Sequence, residues 1–171
     1  MAGLIHLYCG DGKGKTTAAV GLAVRAAGAG KQVIFTQFFK DGSSSEVESL
    51  KRLGIRTIHA QTVKGFYHAM TPEQREQARK DYTALFRQVT DAAKNADLLI
   101  LDEIVSACNR GVVPETLVTT FLRSKPTELE VVLTGRDPSP ALMELADYIT
   151  EMRKLRHPFD RGIAARKGVE Y

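Results

Sequence analysis

The chain has 171 residues, of which 43% are hydrophobic and 26% are charged. This is the size of one ordinary domain with enough apolar side chains to form a core, and the composition excludes a disordered or collagen-like protein. The 24 basic and 20 acidic residues give a net charge of +4, which suits an anionic partner such as a polyphosphate. The charge is dispersed along the chain, so we expect no nucleic-acid partner.

The sequence shows neither a membrane span nor a secretory signal. No window approaches the roughly 18 consecutive apolar residues that a membrane span needs, and residues 1–7 do not resemble a secretory signal. The two cysteines, Cys9 and Cys108, are too few for a disulfide framework or a four-cysteine metal site. We therefore expect no membrane partner and a cytoplasmic location.

In the first part of the chain, predicted strands alternate with predicted helices. In chain order, the sequence predicts a strand over 4–9, a helix over 16–29, a strand over 32–39, a short helix over 46–53 and a short strand over 56–59. A long helix over 71–94 then begins at Thr71-Pro72-Glu73-Gln74, which combines a threonine cap, a proline in the first turn and a glutamine at the capping-box position.

The same alternation continues to the end of the chain. The sequence predicts a strand over 98–101, a helix over 114–123, a strand over 130–134, a helix over 139–146 and a last short strand over 148–150. Apolar strands that alternate with helices are typical of a parallel sheet covered on both faces. We predict one α/β domain over 1–171, in which residues 156–171 form either a tail that orders over a ligand or a frayed terminus.

The strongest motif is a glycine-rich loop between the first predicted strand and helix. It comprises Gly10, Asp11, Gly12, Lys13, Gly14, Lys15, Thr16 and Thr17. Backbone N–H groups and the helix N-terminus of such a loop bind phosphates, while Lys15 reaches the terminal phosphates and the Thr16 hydroxyl binds Mg²⁺. The loop departs from the usual pattern because Cys9 stands where a glycine is expected, and the glycine follows at Gly10.

Two further strand ends carry polar side chains. A strand that ends at Asp102 places a carboxylate beside Thr16 and its metal ion. Glu103 then either polarises a water molecule, as in an ATPase, or joins Asp102 around Mg²⁺. Arg136 follows another strand end, where ligands of open α/β sheets bind, and is either a nucleotide contact or a surface arginine.

Taken together, these segments resemble the ATP:corrinoid adenosyltransferase family. The resemblance is carried by YCGDGKGKTTAAVGLAVRAAGAGK (8–31), QFFKDG (37–42), GFYH (65–68), LLILDEI (98–104), VVLTGRDPSPALMELADYITEM (131–152) and HPFDRGIAARKGVEY (157–171). It implies a three-layer α/β/α fold of the P-loop, RecA-like type with a mainly parallel sheet, and a homodimer. It also implies transfer of the 5′-deoxyadenosyl group of MgATP to the Co(I) of a corrinoid, with release of triphosphate, in adenosylcobalamin biosynthesis or salvage.

The resemblance also implies roles for individual residues. Lys15, Thr16 and Glu103 would be catalytic, and Thr16, Glu103 and Asp102 would hold Mg²⁺. The nucleotide would be bound by Arg25, Arg136 and the loop from Gly10 to Thr17, which would hold triphosphate as the leaving group. The acceptor would be cobalamin, cobinamide or cobyrinic acid diamide, and a reduced flavoprotein would supply electrons.

The corrinoid side departs from the family at two positions, Tyr67 and His68. Where the family has Gly-Phe-Thr-Trp, this chain has Gly65-Phe66-Tyr67-His68. The resemblance implies that Phe66, Tyr67 and His68 face the corrinoid and favour reduction of cobalt by removing its lower ligand. The His68 imidazole either ligates cobalt, which would slow that reduction, or points away and fills space.

Two other function classes stay open on the residues alone. The first is an ATPase or phosphotransferase that uses Glu103 as its base and releases ADP or phosphate. The second is a nucleotide switch that binds nucleic acid, for which we would expect salt-sensitive affinity for a polynucleotide. The dispersed charge and the lack of an aromatic stacking motif argue against the second.

Overall fold

The computed structural model describes residues 2–40, 42–60 and 70–170. Within these ranges the chain forms one sheet from β1 (Ile5–Cys9), β2 (Val33–Gln37), β3 (Arg56–Ile58), β4 (Leu98–Asp102), β5 (Glu130–Thr134) and β6 (Tyr148–Glu151). The strand order is β3-β2-β4-β5-β1-β6, and every neighbouring pair is parallel. All six carboxyl ends therefore lie along the same edge of the sheet.

Helices cover both faces of this sheet. They are α1 (Lys15–Gly28), α2 (Ser45–Arg52), α3 (Pro72–Ala92), α4 (Ile104–Asn109), α5 (Glu115–Ser124) and α6 (Pro140–Leu145). Buried side chains of α1 and α2 pack on one face, and those of α3 to α6 pack on the other. The predicted three-layer α/β/α fold is confirmed.

The long helix α3 follows its sequence signals closely. Thr71 and Gln74 form the predicted capping box, in which each side chain accepts a hydrogen bond from the backbone N–H of the other residue. Its apolar stripe is at most 2% exposed and consists of Ala78, Tyr82, Leu85, Phe86 and Val89. The stripe therefore belongs to the core of this chain and is not available to a second subunit.

The structure differs from the sequence prediction mainly at the ends of strands. Strand β2 stops at Gln37, and Phe39, at φ 61°, has already turned into the left-handed region. The short helix α4 was not predicted, because its apolar sequence directly continues the β4 strand without a side-chain cap. The change of direction occurs at Glu103, whose φ of 62° ends the strand and begins the helix.

The end of β6 braces the glycine-rich loop. The Gly12 N–H donates a 2.6 Å hydrogen bond to the Met152 carbonyl, and the Asp11 carboxylate accepts a 2.9 Å hydrogen bond from the Lys154 N–H. A Cβ atom added to Gly12 would lie 2.6 Å from the Met152 oxygen. The loop therefore touches the backbone of the neighbouring segment, and only glycine fits at this contact.

This contact predicts opposite effects for two Gly→Ala substitutions. Gly12→Ala should lower the free energy of unfolding by about 2 kcal/mol, because the new methyl group meets backbone that cannot move aside cheaply. Gly21→Ala in α1 meets no atom within 4 Å and should raise the free energy of unfolding by about 0.5–1 kcal/mol, because alanine favours the helix. Urea unfolding measures both values, and a neutral Gly12→Ala variant would contradict the brace.

Candidate nucleotide-binding site

The carboxyl edge of the sheet opens into a cleft of about 640 Å³. The loop contributes residues 11–17, α2 contributes Ser45, Glu46 and Ser49, and the C-terminal segment contributes Ala165 and residues 168–170. Val20, Lys40, Glu103, Arg136 and His157 complete the lining. The cleft thus brings together chain segments that are far apart in sequence.

The backbone explains the shifted glycine of the loop. Cys9 is the last residue of β1 and is buried, so the turn begins one residue later. Gly10 has φ 99°, and Gly14, which precedes α1, has φ 120°. Both values lie in the region that favours glycine.

Lys15 lies inside the curve of the loop. Its side chain is buried, and the ammonium group donates 2.7 Å hydrogen bonds to the carbonyl oxygens of Gly10 and Gly12. Burial lowers the pKa of Lys15, and the nearby charge of Arg136 lowers it further. The loop therefore holds a cation directly at the N-terminus of α1.

Asp102 joins the ends of three neighbouring elements. Its carboxylate is fully buried, and the Thr16 hydroxyl lies 2.9 and 3.2 Å from its two oxygens. The Thr134 hydroxyl at the end of β5 donates to the same carboxylate at 2.7 Å. Burial raises the pKa of Asp102, while the hydrogen bond from Thr134 and the charge of Lys40 oppose that rise.

Glu103 enters the cleft from the turn between β4 and α4. Its N–H donates to the Thr134 hydroxyl at 2.8 Å, and its carboxylate accepts a 2.5 Å hydrogen bond from the Ser106 hydroxyl. Thr16 and Glu103 line the cleft and offer hard oxygen ligands at one end of the loop, while the buried Asp102 contacts the Thr16 hydroxyl from behind. This set fits Mg²⁺, which uses few protein ligands and completes its shell with phosphate oxygens and water. Among the described residues no cluster of three or more acidic, histidine or cysteine side chains could hold a metal alone.

Gln37 and Glu46 are two polar residues at this edge that no sequence motif identifies. The Gln37 amide, at the end of β2, donates to Asp102 at 3.2 Å and to Glu46 at 2.8 Å. Glu46 also accepts a 3.3 Å hydrogen bond from Lys40. Burial alone would raise the pKa of Glu46, but its own backbone N–H, Gln37 and Lys40 together hold that pKa below the ordinary value. The position of Gln37 at a predicted strand end could have indicated that it belongs to the site, because Asp102 and Arg136 were identified by their positions at other strand ends.

The C-terminal segment lies beside the loop rather than away from it. Glu170 lines the cleft and forms a two-point ion pair with Arg166, which lowers the pKa of Glu170 to about 2. Lys13 contributes a further favourable charge. Residues of this segment line the cleft, and the ordering of residues 156–171 over a ligand stays a prediction.

The predicted site residues divide into three groups. Glu103, Arg136 and the loop residues from Asp11 to Thr17 line the cleft, while Gly10 and the buried Asp102 support Lys15 and Thr16 from behind. Arg25 is exposed and lies ten residues past Lys15 in α1, about 15 Å along the helix axis. Within this chain Arg25 does not reach the cleft, so its contact with nucleotide stays a prediction. Phe66, Tyr67 and His68 lie outside the described residues.

A solved structure with a similar fold is a KaiC-like protein from Pyrococcus horikoshii OT3. The two chains align with a TM-score of 0.58 over 91% of this chain and 75% of the other, at 17% sequence identity. This likeness concerns the fold alone and confirms the P-loop, RecA-like type. No helix in the described part of the chain is long and apolar enough to cross a membrane.

Sequence comparison identifies the family to which the chain belongs. The chain is 32% identical to a corrinoid adenosyltransferase of Pseudomonas aeruginosa and 35% identical to one of Escherichia coli K12; each alignment covers 99% of this chain, and 84% and 86% of the respective relatives. The corrinoid adenosyltransferase CobA of Salmonella typhimurium is 33% identical over 99% of this chain and 86% of its own length. Residues 1–171 match the family described as ATP:corrinoid adenosyltransferase BtuR/CobO/CobP, and the chain belongs to that family.

Proposed function

We propose that this protein transfers the 5′-deoxyadenosyl group of ATP to the cobalt of a corrinoid. Co(I) attacks the 5′-carbon of ATP, a Co–C bond forms, and the C–O bond to the triphosphate breaks with its electron pair leaving on oxygen. The observation that best supports this proposal is a phosphate-binding loop with a buried Lys15, in a chain of the adenosyltransferase family. The natural acceptor would be cobalamin, cobinamide or cobyrinic acid diamide.

The loop suits a leaving group that gains negative charge. The Lys15 ammonium, the backbone N–H groups around it and the start of α1 stabilise charge on the triphosphate as the C–O bond breaks. Because these groups are fixed by the fold and partly removed from water, they need little reorganisation during the reaction. No proton is transferred in this step, so no general base is needed.

The polar side chains at the strand ends suit a bound Mg²⁺. Thr16 and Glu103 would hold it, with Asp102 behind Thr16, and Mg²⁺ would neutralise part of the charge of the triphosphate. Thr134 and Gln37 hold Asp102 from two sides, so the carboxylate is oriented by the sheet itself.

The remaining partners follow from the family. Residues Phe66, Tyr67 and His68 would face the corrinoid, and a reduced flavoprotein would supply the electrons that make Co(I). We also propose a cytoplasmic homodimer. The C-terminal segment beside the cleft would cover the bound nucleotide.

The reaction products test this proposal against hydrolysis. Purified protein with MgATP and chemically reduced cob(I)alamin, kept in the dark, should form adenosylcobalamin with one triphosphate for each cobalt alkylated. The visible spectrum and a triphosphate assay measure the two products. Release of ADP and phosphate without alkylation would overturn the proposal and assign Glu103 the role of hydrolytic base.

Two lysines of the loop should contribute unequally. Lys15→Met should lower kcat/KM for ATP by about 10²–10³, because it removes a buried donor that faces the developing charge. The exposed Lys13 is screened by water, so Lys13→Met should cost about tenfold or less. Steady-state rates of corrinoid alkylation give both ratios, and equal losses would contradict the special position of Lys15.

A further inference from the structure

Lys40 is a positively charged residue of the cleft that lies outside the phosphate-binding loop. It follows β2 by three residues and lines the same cleft as Lys15 and Arg136. Its side chain is 31% exposed, so the ammonium group is neither buried in the core nor free in bulk solvent. A partly buried cation at a polyanion site interacts more strongly with that anion than a surface lysine does.

A chain of hydrogen bonds connects Lys40 to the phosphate loop. Lys40 donates to Glu46, the Gln37 amide bridges Glu46 and Asp102, and Asp102 contacts the Thr16 hydroxyl. Gln37 is fully buried, and only 18% of the Glu46 side chain is exposed. These contacts fix the position of Lys40 relative to the loop, while the bond to Glu46 uses one of the three donors of the ammonium group.

The acidic side chains of the cleft are each held by a donor. Asp11 accepts from the Lys154 N–H, Glu103 from Ser106, Glu170 from Arg166 and Glu46 from Gln37. The cations that line the same cleft are Lys13, Lys15, Lys40 and Arg136. Each carboxylate is thus fixed in place by a donor, and the four cations supply the positive charge that an anionic ligand can contact.

We propose that Lys40 binds the triphosphate part of the nucleotide, and that the Glu46–Gln37–Asp102 chain positions it for this contact. The inference rests on the proposed function, in which triphosphate is the leaving group. Lys40 thereby extends the phosphate site from the glycine-rich loop to the segment between β2 and α2. It holds substrate and leaving group, and it transfers no proton.

Binding of inorganic tripolyphosphate to the full chain tests this role without any corrinoid. Calorimetric titration in the presence of Mg²⁺ should show about tenfold weaker binding for Lys40→Met, and Lys40→Arg should stay within about threefold of the unaltered protein. Lys51→Met is the matched control, since Lys51 is an exposed lysine of α2 outside the cleft lining. Adenosine binding should be the same in all four proteins.

A second variant separates contact with the ligand from a change in overall charge. Glu46→Gln removes a negative charge from the cleft in either background, but it also weakens the hydrogen bond that positions Lys40. The gain in tripolyphosphate affinity should therefore be smaller when Lys40 is present than in the Lys40→Met/Glu46→Gln double variant relative to Lys40→Met. An equal gain in both backgrounds, or unchanged binding by Lys40→Met, would overturn the proposal, as would no tripolyphosphate binding by the unaltered protein. A protein that loses tripolyphosphate affinity on Lys40→Met but alkylates no corrinoid would instead overturn the proposed function alone.

Discussion

The buried carboxylate of Asp102 is the point on which the rest of the site depends. It lies at the end of β4 and receives hydrogen bonds from Thr16, Thr134 and Gln37, which stand at the start of α1 and at the ends of β5 and β2. A charge buried this completely is costly unless it is fully hydrogen-bonded. The same bonds that compensate the burial therefore align the sheet, the loop and the adjoining wall of the cleft.

The order of the strands explains why Thr134 takes part in these bonds. Strand β5 lies between β1, which leads into the loop, and β4, which carries Asp102. The contact between Thr16 and Asp102 therefore passes over the end of β5. There the Thr134 hydroxyl donates to Asp102 and accepts from the Glu103 N–H. On the opposite side of β1, β6 braces the loop through Met152. The phosphate loop is thus held on one side by the segment that follows β6 and on the other by the bond of Thr16 to Asp102 at the end of β4.

Much of the fold and part of the site could be predicted because their signals are local. The capping box at Thr71 and the glycine-rich loop each lie within a few consecutive residues, and an established motif pairs Thr16 with an acidic strand end. The Gln37–Asp102 contact joins residues 65 positions apart and has no such motif. Helix α4 was missed for a different reason, since the sharp turn at Glu103 has neither a glycine nor a side-chain cap to mark it in the sequence.

The position of the C-terminal segment likewise could not be predicted from local sequence patterns. Its breakers Pro158 and Gly162 and its weak apolar pattern fit both a frayed end and an ordered tail. The bond from the Lys154 N–H to Asp11 places the start of this segment beside the loop, and the charge of Lys13 attracts Glu170 near its end. Asp11 and Lys154 are 143 positions apart, so no local pattern in the sequence predicts this placement.

The bond of ATP that breaks distinguishes adenosyl transfer from every phosphoryl-transfer mechanism of the same fold. The most direct measurement uses ATP labelled with ¹⁸O at the 5′ bridging oxygen, with reduced cob(I)alamin as acceptor and mass spectrometry of the phosphate products. Cleavage between C5′ and O5′ places the label in free triphosphate, which is the result that this account predicts. Label retained in ADP, with unlabelled phosphate released, would show attack at phosphorus and contradict it.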